Sequence, residues 1–525
     1  MKHWGKFLSL DSEEANCTLP RCNESFRIYG PGVDESLEKL QHDCDAEEVT
    51  LSGKRTENTW QHLMSEYSFL FRLASDISNF FGGFFMENKH ELKKTMGLGA
   101  AMAAVIGSVI GSGVFFKPQA MYTITGGAPG LAMLAWIVTG IICIFAAMTF
   151  AEIAILIPET GGIPVYLAKV FGPKVGFLAG WMQTVLFYPA MTAALAVATA
   201  QQAVIYVGDK LLVPIAIIVI IILSFLNCLG SKVGSGVQVV STVAKLIPLF
   251  ILMIFGFIKG GSGAGVFSPV IGDDLNPITC MGQLMIAVLF AFEGWTNAGA
   301  IAGEMKNPAK DLPIAIVGGV SIITAIYLVI NIAYLQVIPA DELANLSAPA
   351  GAVAIKLFGD MGGAFISVGI MISTFGACNA FILSGSRVAY FMSSEGNLPK
   401  SEFLAKLNKA QVPSNSIILI GFIGALMAIS GQFNMLTDLA IFSCWTFYTL
   451  TFIAVIMYRK QAPELERSYK VPLYPVIPVI AILSGLFVLI NQLFMSGLTA
   501  TMLSCFSIAI TVIGLPVYMV LHKDK

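Results

Sequence analysis

Long apolar runs separated by short polar connections make up the chain from about residue 97 to its end. Twelve of these runs are long enough to cross a bilayer, since a spanning helix needs about 20 residues. The pattern therefore predicts an all-α membrane protein with twelve transmembrane helices. The predicted spans are 97–118, 129–157, 174–207, 212–229, 237–258, 282–304, 313–338, 362–391, 415–431, 435–458, 473–495 and 498–521.

The first 88 residues differ, because they are polar, of mixed charge and without any run of membrane length. Apolar residues recur at helical spacing across 68–85, which is typical of an amphipathic helix lying on a membrane surface. The alternative is a disordered extension in which this spacing arises by chance. A third interpretation starts the functional protein at Met86. We expect two regions, a polar extension at 1–88 and a transmembrane domain at 89–525.

Lysine and arginine are divided unevenly between the two sides of the predicted bundle. With the amino terminus inside, the inner connections carry eighteen, and the outer connections carry four, at Lys117, Lys210, Lys259 and Lys356. Positive charge concentrates on the cytoplasmic side of membrane proteins. We therefore expect a multi-pass protein of the plasma membrane, the inner membrane if the source is bacterial, with both termini in the cytoplasm.

Composition supports the membrane class and argues against several others. Hydrophobic residues make up 56% of the chain and charged residues 12%, against about 25% charged in soluble domains. The nine cysteines and five histidines are scattered without metal-ligand spacing, and no phosphate-binding loop or nucleophile–base set is evident. We expect no enzyme activity, no metal and no other cofactor, with the lipid bilayer and no nucleic acid as a partner.

Two predicted spans contain residues that interrupt a helix. Glycine costs about 1 kcal/mol relative to alanine inside a helix, although small residues are also common where membrane helices pack closely. The first span contains Ile110, Gly111, Ser112 and Gly113. The sixth span contains Phe290, Ala291, Glu293 and Gly294. Paired interruptions in corresponding halves of a chain indicate a transporter binding site.

The two interruptions offer complementary chemistry. A half-helix amino terminus presents N–H groups that suit a carboxylate, and an unwound turn presents carbonyl oxygens that suit an ammonium group. Together they form a receptor for an α-amino acid. Their positions also predict two inverted repeats of five helices, 1–5 and 6–10, with helices 11 and 12 appended. Glu152 and Glu304 lie near inner helix ends, where we expect gate or loop contacts.

Lys245 is the one basic residue after the extension that is assigned to neither an inner nor an outer connection, and it lies inside the span 237–258. A cation in the bilayer core is costly, so it should face a cavity or a partner. There it could lock helix contacts or carry a proton, which assigns it a coupling or gating role. The alternative is that its side chain extends to the inner surface near Lys232.

Several motifs in a fixed order resemble one known superfamily. They are Val109-Ile-Gly-Ser-Gly-Val-Phe-Phe-Lys-Pro118, Ala151-Glu-Ile-Ala154, Pro158-Glu-Thr-Gly-Gly162, Ala244-Lys-Leu-Ile-Pro248, Phe292-Glu-Gly-Trp295, Gly303-Glu-Met-Lys-Asn-Pro308 and Tyr469-Lys-Val-Pro-Leu-Tyr-Pro475. From about residue 90 onward the chain resembles the amino acid–polyamine–organocation superfamily. It is most similar to the L-type amino acid transporter branch and, within it, to bacterial serine/threonine exchangers.

The resemblance implies a five-plus-five inverted-repeat fold and exchange of amino acids. It implies that the substrate backbone binds at 110–113 and at Phe290, Ala291 and Glu293. It also places Lys245 where sodium-coupled relatives of the fold hold sodium, so sodium should be unnecessary. Tyr188 and Asn379 would line the same region. Animal members bond a partner through a cysteine between helices 3 and 4, and 207–210 contains none, so no disulfide-linked ancillary subunit is expected.

We therefore predict an exchanger of small neutral L-amino acids such as serine, threonine or alanine, working by alternating access. Two alternatives remain within transport: a proton-coupled symporter that uses Lys245 or Glu293, and a carrier of cationic amino acids or polyamines. The second alternative arises because family members often carry aspartate where this chain has Glu293, and the longer glutamate could reach a cationic side chain of the substrate. A more distant alternative is an amino acid sensor that signals through the extension at 1–88.

Overall fold

A computed structural model describes residues 14–18, 25–29, 98–157, 162–261, 263, 265–296 and 307–523. The predicted amphipathic helix at 68–85 and the side chain of Glu304 lie outside these residues. The chain divides into two compact units, Met1–Ala74 and Ser75–Lys525. In the first unit, β1 (Glu14–Thr18) pairs antiparallel with β2 (Ser25–Tyr29), a hairpin that the sequence pattern did not predict.

Helices and their connections form the described part of the second unit. Its first half contains α1 (Leu98–Val109), α2 (Gly113–Ile124), α3 (Pro129–Leu156), α4 (Ile163–Phe171), α5 (Pro173–Met182), a π-helical turn (Gln183–Phe187), α6 (Tyr188–Val207), a 3₁₀ turn (Asp209–Leu211), α7 (Leu212–Cys228) and α8 (Ser231–Lys259). Its second half contains α9 (Pro277–Phe292), α10 (Pro308–Val337), α11 (Ala340–Leu343), α12 (Pro349–Ser394), α13 (Ser401–Leu404), α14 (Ser414–Ala428), α15 (Phe433–Gln461), α16 (Val476–Phe494) and α17 (Leu498–Leu521).

Eight helical segments within the described residues are long and apolar enough to cross a membrane. They are Pro129–Leu156, Pro173–Val207, Asp209–Cys228, Lys310–Val337, Pro349–Ser394, Phe433–Gln461, Val476–Phe494 and Leu498–Leu521. Two shorter apolar helices, α9 and α14, accompany them. The prediction of a helical, multi-span membrane protein is thereby confirmed.

The helices of the second unit pack in two groups. In the scaffold group, α6 packs along α7, α12 and α14. In the broken-helix group, α10 packs against α1 and α3, while α9 contacts both α2 and α3. The long helix α15 contacts members of both groups, α6 and α9. It is also well enclosed, since 78% of its most apolar 18-residue stretch is buried. The corresponding value for α17, at the periphery, is 17%.

Three sequence expectations need correction. The sixth predicted span, 282–304, is instead the helix Pro277–Phe292, because the backbone leaves the helix at Glu293. The eighth, 362–391, extends over Pro349–Ser394 with a kink at Gly359. Lys117, counted among outer connections, lies inside α2 and is fully buried.

Lys117 is buried because α15 supplies a polar site for it. Its ammonium donates to Thr437 Oγ1 at 2.6 Å, to Asn434 Oδ1 at 3.2 Å and to Asp438 Oδ1 at 3.3 Å. It also lies over the rings of Phe290 and Phe433, at 5.2 and 5.3 Å from their centroids. One cation therefore joins the half-helix α2 to α9 and α15.

Lys117 and Asp438 form an ion pair whose members differ in access to water. Removal of one or the other should therefore lower the stability of the protein by different amounts. Lys117 is 0% exposed, whereas the Asp438 side chain is 31% exposed. Replacing Asp438 with alanine leaves a buried ammonium without its counter-ion, which should cost about 3 kcal/mol of stability. Replacing Lys117 with methionine leaves a carboxylate that water can reach, so the loss should be smaller.

Thermal unfolding midpoints of the purified variants in detergent check this expectation. The midpoint should fall further for Asp438→Ala than for Lys117→Met. An equal or larger fall for Lys117→Met would contradict the argument from burial.

Candidate functional site

The first interruption separates α1, which ends at Val109, from α2, which begins at Gly113. The first N–H groups of α2 have no acceptor within their own helix, and its dipole favours a negative charge there. Ser112 precedes this terminus and is 1% exposed, and its hydroxyl has no hydrogen-bond partner among the described residues. The interruption therefore combines a helix amino terminus with a buried, unused hydroxyl.

The second interruption ends α9 at Phe292. Glu293 has extended backbone angles, φ −60° and ψ 138°, and its N–H donates to the carbonyl of Phe290 at 3.2 Å. Gly294 follows with φ 118°, a conformation that side-chain-bearing residues rarely adopt. Glycine at this position thus allows the chain to turn out of the helix.

The two interruptions are in direct contact. A Cβ atom placed on Gly113 would lie 2.5 Å from the Cα atom of Ala291 and 2.6 Å from its Cβ atom. The Tyr327 hydroxyl on α10 lies 3.0 Å from the carbonyl oxygen of Ala291 and 3.3 Å from that of Val109. Residues 110–113 and 290–294, which the sequence singled out, therefore lie side by side.

The carboxylate of Glu293 is buried at this junction, with 7% of the residue exposed. Its Oε1 accepts a hydrogen bond of 2.7 Å from the Tyr448 hydroxyl, and its Oε2 lies 3.9 Å from Cys444 Sγ. Both partners belong to α15. Among the described residues, no lysine or arginine forms an ion pair with Glu293. The side chain is therefore held by uncharged donors from α15.

The other predicted site residues lie in the scaffold group and on α8. Lys245 is 7% exposed and lies on α8. The Oδ1 atom of Asn379 on α12 accepts a hydrogen bond of 2.7 Å from Asn227 of α7. The Tyr188 ring contacts Phe381 at 6.3 Å and follows the π-helical turn, a feature common at functional sites.

Glu152 at the end of α3 organises a second polar cluster. Its carboxylate accepts from Arg459 Nε at 2.7 Å, from Arg459 Nη2 at 2.5 Å and from the N–H of Val471 at 2.7 Å. The Arg459 guanidinium lies 3.8 Å from the ring centroid of Tyr474. Burial and the nearby Glu152 charge raise the pKa of Tyr469 to about 12, so that phenol stays neutral at physiological pH. The cluster ties α3 to the connection after α15.

Several residues at the junction escaped the sequence analysis, namely Tyr327, Cys444, Tyr448 and the pair of Lys117 with Asp438. A tyrosine or cysteine inside an apolar span carries no periodic signal, because such residues also serve as ordinary packing. The sequence feature that could have revealed the ion pair is the position of Lys117, which lies four residues after Gly113 inside an apolar run.

Comparisons with known proteins agree with this architecture. A family model described as amino acid permease matches residues 96–516. The chain is 38% identical over 438 residues to the serine/threonine exchanger SteT of Bacillus subtilis (strain 168), covering 83% of this chain and 98% of that protein. It is 30% identical to human b(0,+)-type amino acid transporter 1, covering 76% of this chain and 82% of the relative. It is 29% identical to rabbit (Oryctolagus cuniculus) large neutral amino acids transporter small subunit 2, covering 83% of this chain and 82% of the relative.

Two interrupted helices that meet inside a helical membrane protein are typical of the class of membrane transporters. The chain belongs to the amino acid permease family, within the amino acid–polyamine–organocation superfamily that its motifs indicated. Like its relatives it transports amino acids, and the predicted resemblance to serine/threonine exchangers and L-type transporters is confirmed.

The contact between the interruptions gives a sharp test at Gly113. A methyl group there meets backbone atoms of Ala291, which cannot rotate away as a flexible side chain would. Overpacking of this kind costs about 1–3 kcal/mol. Gly113→Ala should therefore reduce amino acid uptake about tenfold, the equivalent of ~1.4 kcal/mol, which lies within this range.

Gly99 on α1 offers the matched control, since a Cβ atom there meets nothing within 4 Å. Gly99→Ala should leave uptake unchanged. Uptake into cells or vesicles is measured for both variants and divided by the amount of protein in the membrane. Equal uptake by the two variants would show that the close contact is not needed for transport.

Proposed function

We propose that this protein exchanges small neutral L-amino acids, such as serine, threonine or alanine, across the plasma membrane without sodium. The observation that carries the proposal is the contact of Gly113, at a helix amino terminus, with Ala291, which lies two residues before the unwound turn at Glu293. The zwitterion of an α-amino acid has a carboxylate for the helix amino terminus and an ammonium group for the unwound turn. The similarity to SteT, which is named a serine/threonine exchanger, supports exchange and these substrates.

In the proposed complex, the substrate carboxylate binds at the amino terminus of α2, at Ile110, Gly111, Ser112 and Gly113. The unused hydroxyl of Ser112 supports this assignment. The substrate ammonium binds at Phe290, Ala291, Glu293 and Gly294. A carbonyl oxygen has two lone pairs, so the carbonyl of Ala291 can serve both Tyr327 and a substrate.

Alternating access would then arise from movement of the broken-helix group against the scaffold group. We propose twelve spans, with α1 and α2 as the first and α9 beginning the sixth, in two inverted five-helix repeats followed by α16 and α17. Both termini lie in the cytoplasm in this arrangement. The interruptions in α1–α2 and after α9, and the distribution of basic residues, support this topology.

Lys245 completes the proposal as the coupling or gating residue, with Tyr188 and Asn379 lining the same region. Its burial on α8 supports a role inside the protein rather than at the surface.

We further propose that the protein has no enzyme activity and no disulfide-linked partner, since the 207–210 connection lacks cysteine. The region 1–88 is proposed as an extension outside the transporter domain at 89–525, and the family match beginning at residue 96 supports this boundary.

Exchange is tested by uptake of radiolabelled L-serine into proteoliposomes at matched pH without sodium. Vesicles loaded with unlabelled L-serine should accumulate label, and empty vesicles should not, because return of the empty carrier is the blocked step. Replacing choline with sodium should change nothing. Equal uptake into empty vesicles would overturn exchange, and its dependence on a pH gradient would favour the proton-coupled alternative.

A carrier of cationic amino acids is the second candidate, favoured by the buried carboxylate of Glu293, which has no ion-pair partner among the described residues. Tyr448 occupies one of its oxygens, so a substrate side chain would compete for the other. We expect excess arginine or putrescine to leave L-serine exchange intact. Inhibition by either that disappears in Glu293→Gln would instead establish the cationic candidate.

A further inference from the structure

The side chain of Asn491 on α16 lies directly against the backbone of α9. Asn491 is 0% exposed, and its Nδ2 atom donates to the carbonyl of Ile278, in the first turn of α9, at 3.2 Å. A Cβ atom placed on Gly282 of α9 would overlap the carboxamide of Asn491. Glycine at 282 therefore leaves the space that this polar side chain occupies.

The turn that follows α16 fixes the carboxamide and also reaches α9. The Ser496 hydroxyl donates to Asn491 Oδ1 at 2.8 Å, and the Ser496 N–H donates to the backbone carbonyl of Asn491 at 3.0 Å. The carbonyl of Ser496 in turn accepts a hydrogen bond of 3.1 Å from Gln283 Nε2 on α9. Both polar groups of the Asn491 side chain are thus in use, and two hydrogen bonds join α9 to this region.

This anchor lies at one end of α9, and the proposed ammonium subsite lies at the other. Gly282 and Ala291 are nine residues apart, about 14 Å along a helix that rises 1.5 Å per residue. A tilt of ~5° about Gly282 would therefore move Ala291 by about 1 Å. Ala291 already packs against Gly113 without room for a methyl group between them. A small change at the anchor would consequently alter the place where substrate binds.

We propose that Asn491 is a positioning residue that anchors α9 on α16 and thereby places the ammonium subsite. The inference rests on the proposed function and adds to it a residue outside the two interruptions. The helix α16 also packs against α3 and α15, so it offers α9 a supported surface. Substrate affinity then depends on a contact that the substrate itself does not touch.

The experiment measures the half-saturating concentration of external L-serine in exchange. Gly282→Ala places a methyl group where the carboxamide lies, which pushes α9 away from α16. The concentration should rise about tenfold, the equivalent of ~1.4 kcal/mol. Asn491→Ala removes the anchor without adding an overlap, and the rise should be about threefold, the equivalent of ~0.7 kcal/mol. The double variant has room for the new methyl group, so it should return to the value of Asn491→Ala.

Gly514 on α17 offers a matched control. A Cβ atom there would lie 2.8 Å from Trp181 Cδ1 and 2.9 Å from Leu178 Cδ2, both on α5. Gly514→Ala therefore overpacks a contact between helices other than α9 and should leave the half-saturating concentration unchanged. This concentration does not depend on how much protein folds, whereas the maximal rate does.

The outcomes separate positioning from a merely structural role. An unchanged half-saturating concentration in Gly282→Ala, with a lower maximal rate alone, would overturn the proposal. A double variant whose rise equals the product of the two single rises would also overturn it, because residues in contact should not act independently. If Gly282→Ala fails to reach the membrane, Asn491→Ala decides, and the absence of a rise would count against the anchor.

Failure of the proposed function is recognised separately. If wild-type protein does not exchange L-serine, the proposed substrate is wrong. The same four variants are then compared with the amino acid that drives exchange, and the anchor is tested without change.

Discussion

A polypeptide inside a bilayer has to satisfy its backbone hydrogen bonds within the protein, since lipid offers no partners. This chain violates the rule of a continuous helix twice, after Val109 and after Phe292. The two interruptions lie against each other and are enclosed by α3, α10 and α15. The Tyr327 hydroxyl meets a carbonyl on each side. Backbone groups that the interruptions leave without a helical partner are thereby brought together at one enclosed place.

The helix α15 is the common electrostatic partner of this arrangement. Near one end Asp438 pairs with Lys117 of α2, and near the other Arg459 pairs with Glu152 of α3. Between them Tyr448 donates to Glu293. Each of these three contacts joins α15 to the broken-helix group or to the turn that follows α9. The hydrophobic surface of α15 is largely buried as well, so polar and apolar contacts fix the same helix.

Hydropathy predicted most of the helices, because burial in lipid imposes long apolar runs whatever the packing. The sixth span was misplaced because apolar residues continue beyond Gly294, and hydropathy does not register a backbone that leaves the helix there. Lys117 was misassigned for a related reason, since counting basic residues in connections cannot detect a cation that α15 solvates. Tyr327 and Tyr448 act through partners far away in sequence, and a single sequence holds no signal for such pairs.

The two ion pairs on α15 have a consequence for the electrical behaviour of the protein. Asp438 and Arg459 are about 30 Å apart along the helix at a rise of 1.5 Å per residue, close to the thickness of the hydrocarbon core. A lone charge carried across that thickness would do about 2.3 kcal/mol of work per 100 mV. Each of these charges has an opposite charge on a neighbouring helix. Movements that keep the pairs together carry no net charge from them through the field, so these pairs add no voltage sensitivity to the conformational cycle.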